Sequence, residues 1–225
     1  MADDAVIWYF DVVSPFAYLA LPAVTAIARQ RPVLFRPIVL GVVLSHWGQL
    51  GPAEIAPKRT HTYRLCQFMA DRAGVPLRFP PRHPFRSLDI LRLMTALDGD
   101  PGAIRTAFDF IWAEGRDPSE HSERDALCER LGVPDYDALI AERHAKARLR
   151  AWTDAAIAAG VFGVPTLMVG DALFWGLDAM PMAEAALDDP GLLARGEMAR
   201  LPGLPAGVQR RDALRILQSN ETTEG

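Results

Sequence analysis

The sequence predicts an α/β fold in which a strand–helix–strand unit and a later strand–strand–helix unit frame a long helical stretch. Three observations carry this. Short apolar runs rich in β-branched and aromatic residues stand near the start and again late in the chain. Between them only helical stripes recur, and a Gly170-Asp171 pair joins the last two apolar runs as a hairpin turn would.

Taken in order, Ala5 to Phe10 is continuously apolar, as expected of a strand covered on both faces. Ser14-Pro15 then supplies a helix start, a hydroxyl at the N-cap and a ring with preset φ at the first helical position. The helix should run to about Gln30, with Pro22 kinking it or locally opening its ladder, and Val33 to Ile38 is the next strand. A strand–helix–strand connection of this length makes the two strands parallel. Lys58 to Ala73 carries a helical stripe closed by Gly74, and the proline-rich stretch Pro76 to Pro84 is a loop. Helical patterns follow at Leu88 to Leu97, Ala103 to Ala113, Ser122 to Leu131 and Tyr136 to Leu149, the last two started by Ser119 or Ser122 and by Asp135. Thr166 to Val169 and Ala172 to Trp175 form the hairpin, and Met180 to Leu187 closes the unit. That order is a thioredoxin-like fold with helices inserted in its middle. The expected division is residues 1–41 with 153–195 as the thioredoxin-like domain, 42–152 as the helical insertion, and 196–225 as an extension containing a basic amphipathic piece, Arg210 to Leu217.

Composition excludes several classes. Twenty-four Lys and Arg against 28 Asp and Glu give a net charge of −4, so no broad basic field awaits a nucleic-acid backbone. The longest apolar stretch, Pro15 to Ala28, is too short to cross a membrane. The opening Met1-Ala2-Asp3-Asp4 is acidic where a secretory signal is basic, and two widely separated cysteines make no disulfide framework, so a reduced, cytoplasmic protein is expected. Five scattered histidines lack metal-ligand spacing, so no metal is expected.

In a thioredoxin-like fold the reactive position lies where the first strand meets the first helix, here Val12 to Ala17. No cysteine stands there, the nearest to Ser14 being Cys66, so dithiol–disulfide exchange lacks its reacting atoms. A hydroxyl at a helix N-terminus remains, and Ser before Pro is also the commonest way simply to start a helix. Pro165, entering a strand, is the expected cis residue facing that helix, which leaves the Val164 backbone free to pair with an extended peptide. Hydroxyl, helix dipole and free strand edge together describe a seat for a small peptidic thiol. Lys58-Arg59 opens a helix where cations oppose the dipole, a conflict that favours a pocket role for at least one of them, with a solvated charge an equal alternative. For Trp47, Trp112, Trp152 and Trp175, core packing is the default, with an aromatic pocket as the alternative.

With these residues in view, the chain resembles the glutathione-dependent branch of the DsbA-like thioredoxin superfamily, the 2-hydroxychromene-2-carboxylate isomerases and the kappa-class glutathione transferases. The resemblance rests on Asp11 to Leu19, on Gly51-Pro52-Ala53 with Pro57-Lys58-Arg59, on Val161 to Thr166 and on Phe174 to Asp178. It implies a DsbA/kappa-like fold, glutathione as cofactor, Ser14 as the catalytic serine activating its sulfur, and Val164 with cis-Pro165 pairing with the cysteinyl backbone. It also implies that Gly176, Leu177 and Asp178 hold the γ-glutamyl end, that Gln49 and Lys58 line the pocket mouth, that Lys58 or Arg59 holds the carboxylate of a small aromatic-derived substrate, and that the protein is a homodimer. Three readings stay open on the sequence: the isomerase of aromatic catabolism, a kappa-like transferase or peroxidase, and a non-catalytic thioredoxin-like module that binds an extended peptide.

Overall fold

The computed structural model describes residues 6–207. β1 (Val6–Phe10), α1 (Pro15–Ala28) and β2 (Val33–Pro37) form the expected crossover unit, with β1 and β2 parallel and Val6 opposite Val33. β3 (Thr166–Val169) and β4 (Ala172–Trp175) are the antiparallel hairpin, and β3 lies antiparallel to β1, giving the sheet order β2-β1-β3-β4. The central strand β1 is buried along its whole length, which is why it reads as an unbroken apolar run rather than an alternating one.

Its alternate side chains serve different cores. Trp8 and Phe10 stack at 4.6 Å and meet Phe108 of the helical insertion, while Phe35 of β2 packs edge-on against Trp8 at 5.4 Å. Ile7 and Tyr9 face the other way, into a cluster with Ile38, Val43, Ala156, Val161 and Val164. Both halves of the sequence therefore converge on five residues of one strand.

Between β2 and β3 the main described elements are helices: α2 (Leu40–His46), α3 (Ala56–Ala73), α4 (Leu88–Ala96), α5 (Pro101–Phe108), α6 (His121–Leu131), α7 (Tyr136–Ala141) and α8 (Arg143–Ala158). Several features differ from the sequence expectation. α2 has no side-chain cap and a Gly-Val-Val interior, poor helix signals that tertiary packing of Val43 overrides. The expected Tyr136 to Leu149 helix is two helices, because Glu142 takes an extended conformation (φ −52°, ψ 126°) and lets α7 and α8 each pack on α4. The Ala103 to Ala113 helix opens into a π turn over Asp109–Ala113, which buries Phe110, Ile111 and Trp112 together. Asp135 caps α7 through the Ala138 N–H, as expected, whereas α6 starts at Glu120 with no side-chain cap from either serine.

Gly99, in the link between α4 and α5, has φ +70°, and a Cβ there would lie 2.4 Å from the Phe35 carbonyl oxygen. Gly99→Ala adds a left-handed penalty to a backbone clash, so a loss of about 2 kcal/mol is expected in a denaturant titration.

The first compact unit runs up to Glu184 and the second starts at Ala185, within α9 (Met180–Asp188). The second unit contains α10 (Gly196–Arg200), which was not expected from the sequence, with an Arg195–Asp189 ion pair just before it. The Arg210 to Leu217 piece lies outside the described residues. Among the described residues no helix is long and apolar enough to cross a membrane, and no cluster of His, Cys, Asp and Glu could hold a metal.

Candidate active site

The turn from β1 into α1 is built almost wholly from hydrogen bonds. Ser14 is the N-cap of α1 with extended backbone (φ −92°, ψ 115°), and Pro15 occupies the first helical position. The Ser14 N–H donates to the Asp11 carbonyl at 3.0 Å, and Ser14 Oγ accepts the Ala17 N–H at 3.2 Å. Ser14 is 6% exposed. A hydroxyl has one donor besides its lone pairs, so the cap bond does not use the Ser14 hydrogen, and among the described residues no acceptor takes it, at the positive end of a 14-residue helix.

The β1–β3 register pairs Tyr9 with Thr166, which sets Val164 and Pro165 beside the end of β1 where the Ser14 turn begins. The Val164–Pro165 bond is cis. Among the described residues no backbone hydrogen bond falls on the N–H or carbonyl of Val164. Gly176 is tied to this segment, its N–H donating to the Pro165 carbonyl at 2.8 Å. Its φ of +94° and the 2.5 Å that a Cβ would leave to Asp178 Oδ1 require glycine there. Because the Gly176 N–H and the Leu177 carbonyl are already used, the donors still open in this segment, among the described residues, are the N–H groups of Leu177 and Asp178. Aromatic side chains flank the same stretch: Trp175 packs on Phe162 at 5.1 Å, and Trp47 Nε1 donates to the Val161 carbonyl at 2.9 Å. Trp175 and Trp47 are about half exposed.

The structure thus brings Ser14, Val164, Pro165 and Gly176 to one end of the sheet. Gln49, Lys58 and Arg59 are exposed, Gln49 between α2 and α3 and the two cations in the first turn of α3. No hydrogen bond or ion pair among the described residues joins them directly to Ser14; Arg59 acts on Tyr63 through its charge. Two clefts, one beside His121, Cys128 and Tyr136 and one beside Val39, Arg92 and Thr153, do not include Ser14. Both cysteines are free and buried, and burial pushes the Cys66 thiol up to about 12, so neither supplies a thiolate near neutral pH.

Sequence reasoning missed the residues that hold the Ser14 turn. Asp11 is fully buried; its Oδ1 accepts the Val13 N–H and its Oδ2 the Leu40 N–H, each at 3.0 Å. Burial raises its pKa to about 6 against the lowering effect of those bonds. Trp112, placed by the π turn, donates from Nε1 to the Val12 carbonyl at 2.8 Å. His83 Nε2 meets the Val13 carbonyl at 2.8 Å, and Tyr63 Oη lies 2.6 Å from His83 Nδ1. Tyr18, in the first turns of α1, donates to the Pro76 carbonyl at 2.8 Å. Asp11 had a local signal, since an aspartate two residues before a free N–H is an Asx turn. The others had none.

Comparison with known proteins bears on this arrangement. Residues 5–188 match the family model of the DSBA-like thioredoxin domain. A 2-hydroxychromene-2-carboxylate isomerase from Pseudomonas putida is 31% identical over 187 residues, covering 80% of this chain and 92% of the relative. The chain belongs to this isomerase family of DsbA-like thioredoxin proteins. A solved 2-hydroxychromene-2-carboxylate isomerase has the same architecture, with a TM-score of 0.71, 27% identity and coverage of 88% of this chain and 98% of that one. A glutathione S-transferase kappa 2 from Caenorhabditis elegans is 25% identical over 208 residues, covering 81% of this chain and 91% of the relative. Membership in the isomerase family supports an isomerase activity here. Within that family model, a hydroxyl stands at the helix N-terminus of this chain where a dithiol oxidoreductase needs a thiol.

Proposed function

We propose that the protein is a glutathione-dependent isomerase acting on a 2-hydroxychromene-2-carboxylate or its ring-opened, conjugated 2-oxo acid. The observation that carries this reading is Ser14: a free O–H donor at the start of α1, beside the unpaired Val164 backbone, in a chain related to isomerases and to a kappa-class transferase. Bound glutathione would supply a sulfur nucleophile whose reversible addition to the conjugated carbon turns a double bond into a rotatable single bond. Ser14 and the α1 dipole hold the sulfur as an anion, and the Val164 N–H and carbonyl orient the tripeptide backbone as an added strand would. The N–H groups of Leu177 and Asp178, with Gly176 turning the chain, face the γ-glutamyl end. Lys58 or Arg59 holds the substrate carboxylate, and Gln49 closes the mouth.

The magnitudes suffice without a metal. A thiol of pKa ~8.5 is about 3% ionised at pH 7, and bringing that pKa down to ~6.5 needs ~2.7 kcal/mol in favour of the anion. A hydroxyl bond to a charged group contributes ~1.5 to 3 kcal/mol. A partly buried helix N-terminus contributes up to ~2 kcal/mol.

Isomerisation of a 2-hydroxychromene-2-carboxylate, followed by absorbance, is expected to require glutathione; equal rates with and without it would refute the mechanism. The kappa-class relative favours a second reading, conjugation of electrophiles at the same thiolate seat. Net consumption of glutathione during turnover would mark that activity. Retention on immobilised glutathione, released by free glutathione, separates both from a silent peptide-binding module.

A further inference from the structure

We propose that His83 is a positioning residue for Ser14, held by Tyr63 in the one tautomer that can grip the Ser14 turn. The peptide unit between Val13 and Ser14 is tied at both ends: its N–H to the Asp11 carbonyl at 3.0 Å and its C=O to His83 Nε2 at 2.8 Å. A carbonyl only accepts, so Nε2 carries the hydrogen. Nδ1 is then the acceptor, and the Tyr63 hydroxyl donates to it at 2.6 Å. Burial lowers the His83 pKa, in keeping with a neutral ring that has one donor and one acceptor nitrogen.

The ring is set by its surroundings as well as by its bonds. Phe79, Phe85 and Trp112 lie 5.3 to 6.3 Å from the His83 ring or from one another, mostly edge-on, and Tyr63 packs on Phe79 at 4.5 Å. Trp112 also bonds the Val12 carbonyl, so one aromatic cluster of the helical insertion grips two successive carbonyls before Ser14. Rotation of the Val13–Ser14 peptide would swing the hydroxyl off its target, and His83 is the side chain that resists it. Tyr63 Oη also lies 2.9 Å from the His83 carbonyl, so its single hydrogen faces two acceptors on His83, with the shorter approach to Nδ1.

This inference rests on the reading of Ser14 as support for the glutathione sulfur, and the test separates the two. His83→Phe fills the cage without a donor and is expected to lower kcat about ten-fold, with KM for the chromene nearly unchanged and little loss of Tm. His83→Gln places an amide N–H near the Nε2 position and should recover kcat to within about three-fold. ¹⁵N chemical shifts of labelled histidine should show the Nε2–H tautomer in the wild type and a mixture in Tyr63→Phe; this readout needs no glutathione. Wild-type kcat in His83→Phe, equal losses in the Phe and Gln variants, or an Nδ1–H tautomer would overturn the positioning role. Glutathione-independent turnover of the wild type would instead overturn the functional reading.

Discussion

Ser14→Ala is expected to lower kcat/KM about 10²-fold while the protein stays folded. The loss follows from the hydrogen bond removed: a hydroxyl donating to an anion contributes ~1.5 to 3 kcal/mol. Each ~1.4 kcal/mol of lost transition-state stabilisation is a factor of ten. Stability suffers less. Ser14 Oγ also accepts the Ala17 N–H, and losing such a cap costs ~1 kcal/mol, or about 3 °C in Tm for a chain of this size.

Ser14→Asp separates capping from chemistry. Aspartate caps helices as well as serine, so Tm should equal or exceed that of the wild type. A carboxylate beside the sulfur opposes its ionisation, so activity should fall below that of Ser14→Ala. Thiolate absorbance of the glutathione complex, titrated with pH, reads the same difference directly. Wild-type activity in Ser14→Ala would remove Ser14 from the chemistry and leave it as a helix cap alone.

How much of this was legible in the sequence depends on how far apart the interacting residues lie. The parallel unit, the hairpin and the Ser14-Pro15 helix start were readable because each rests on residues within a few positions of one another. α2 was not, since Leu40-Gly41-Val42-Val43 has no cap and carries β-branched residues that disfavour helix; only packing against the sheet holds it. The break at Glu142 and the π turn at Asp109 likewise answer to tertiary packing, with no proline or glycine to mark them. His83 sits 70 positions from the carbonyl it holds and in a proline-rich stretch that reads correctly as a loop. Ser14 was visible because its capping role and its proposed chemical role use the same position. Apart from the local Asx turn of Asp11, the clamp around it was invisible because it is made of long-range bonds, from His83, Trp112 and Leu40.

The clamp's other half, Asp11, gives the remaining large effect, and its sign is unusual for a carboxylate that accepts two backbone N–H groups. Those bonds favour the anion, yet complete burial outweighs them and carries the pKa from 3.8 to about 6. Between these values the folded chain holds a proton that the unfolded chain has lost, so stability conferred by this group is full below pH 3.8 and declines as pH rises through about 6. The decline amounts to about 3 kcal/mol, since every pH step between the unfolded and folded pKa values is worth ~1.4 kcal/mol. Asp11→Asn cannot ionise and keeps one carbonyl for either the Val13 or the Leu40 N–H. Its stability relative to the wild type should therefore be poorest near pH 4 and improve by about 3 kcal/mol by pH 7.5, measured as paired denaturant titrations so that all other titrating groups cancel. Asp11→Ala leaves both N–H groups without their acceptor, and at ~1 to 3 kcal/mol for each buried donor it should be the less stable of the two variants at every pH. A constant difference between wild type and Asp11→Asn across this range would mean that the carboxylate is solvated in the folded protein, and that the Ser14 turn is held by His83 and Trp112 without a buried charge.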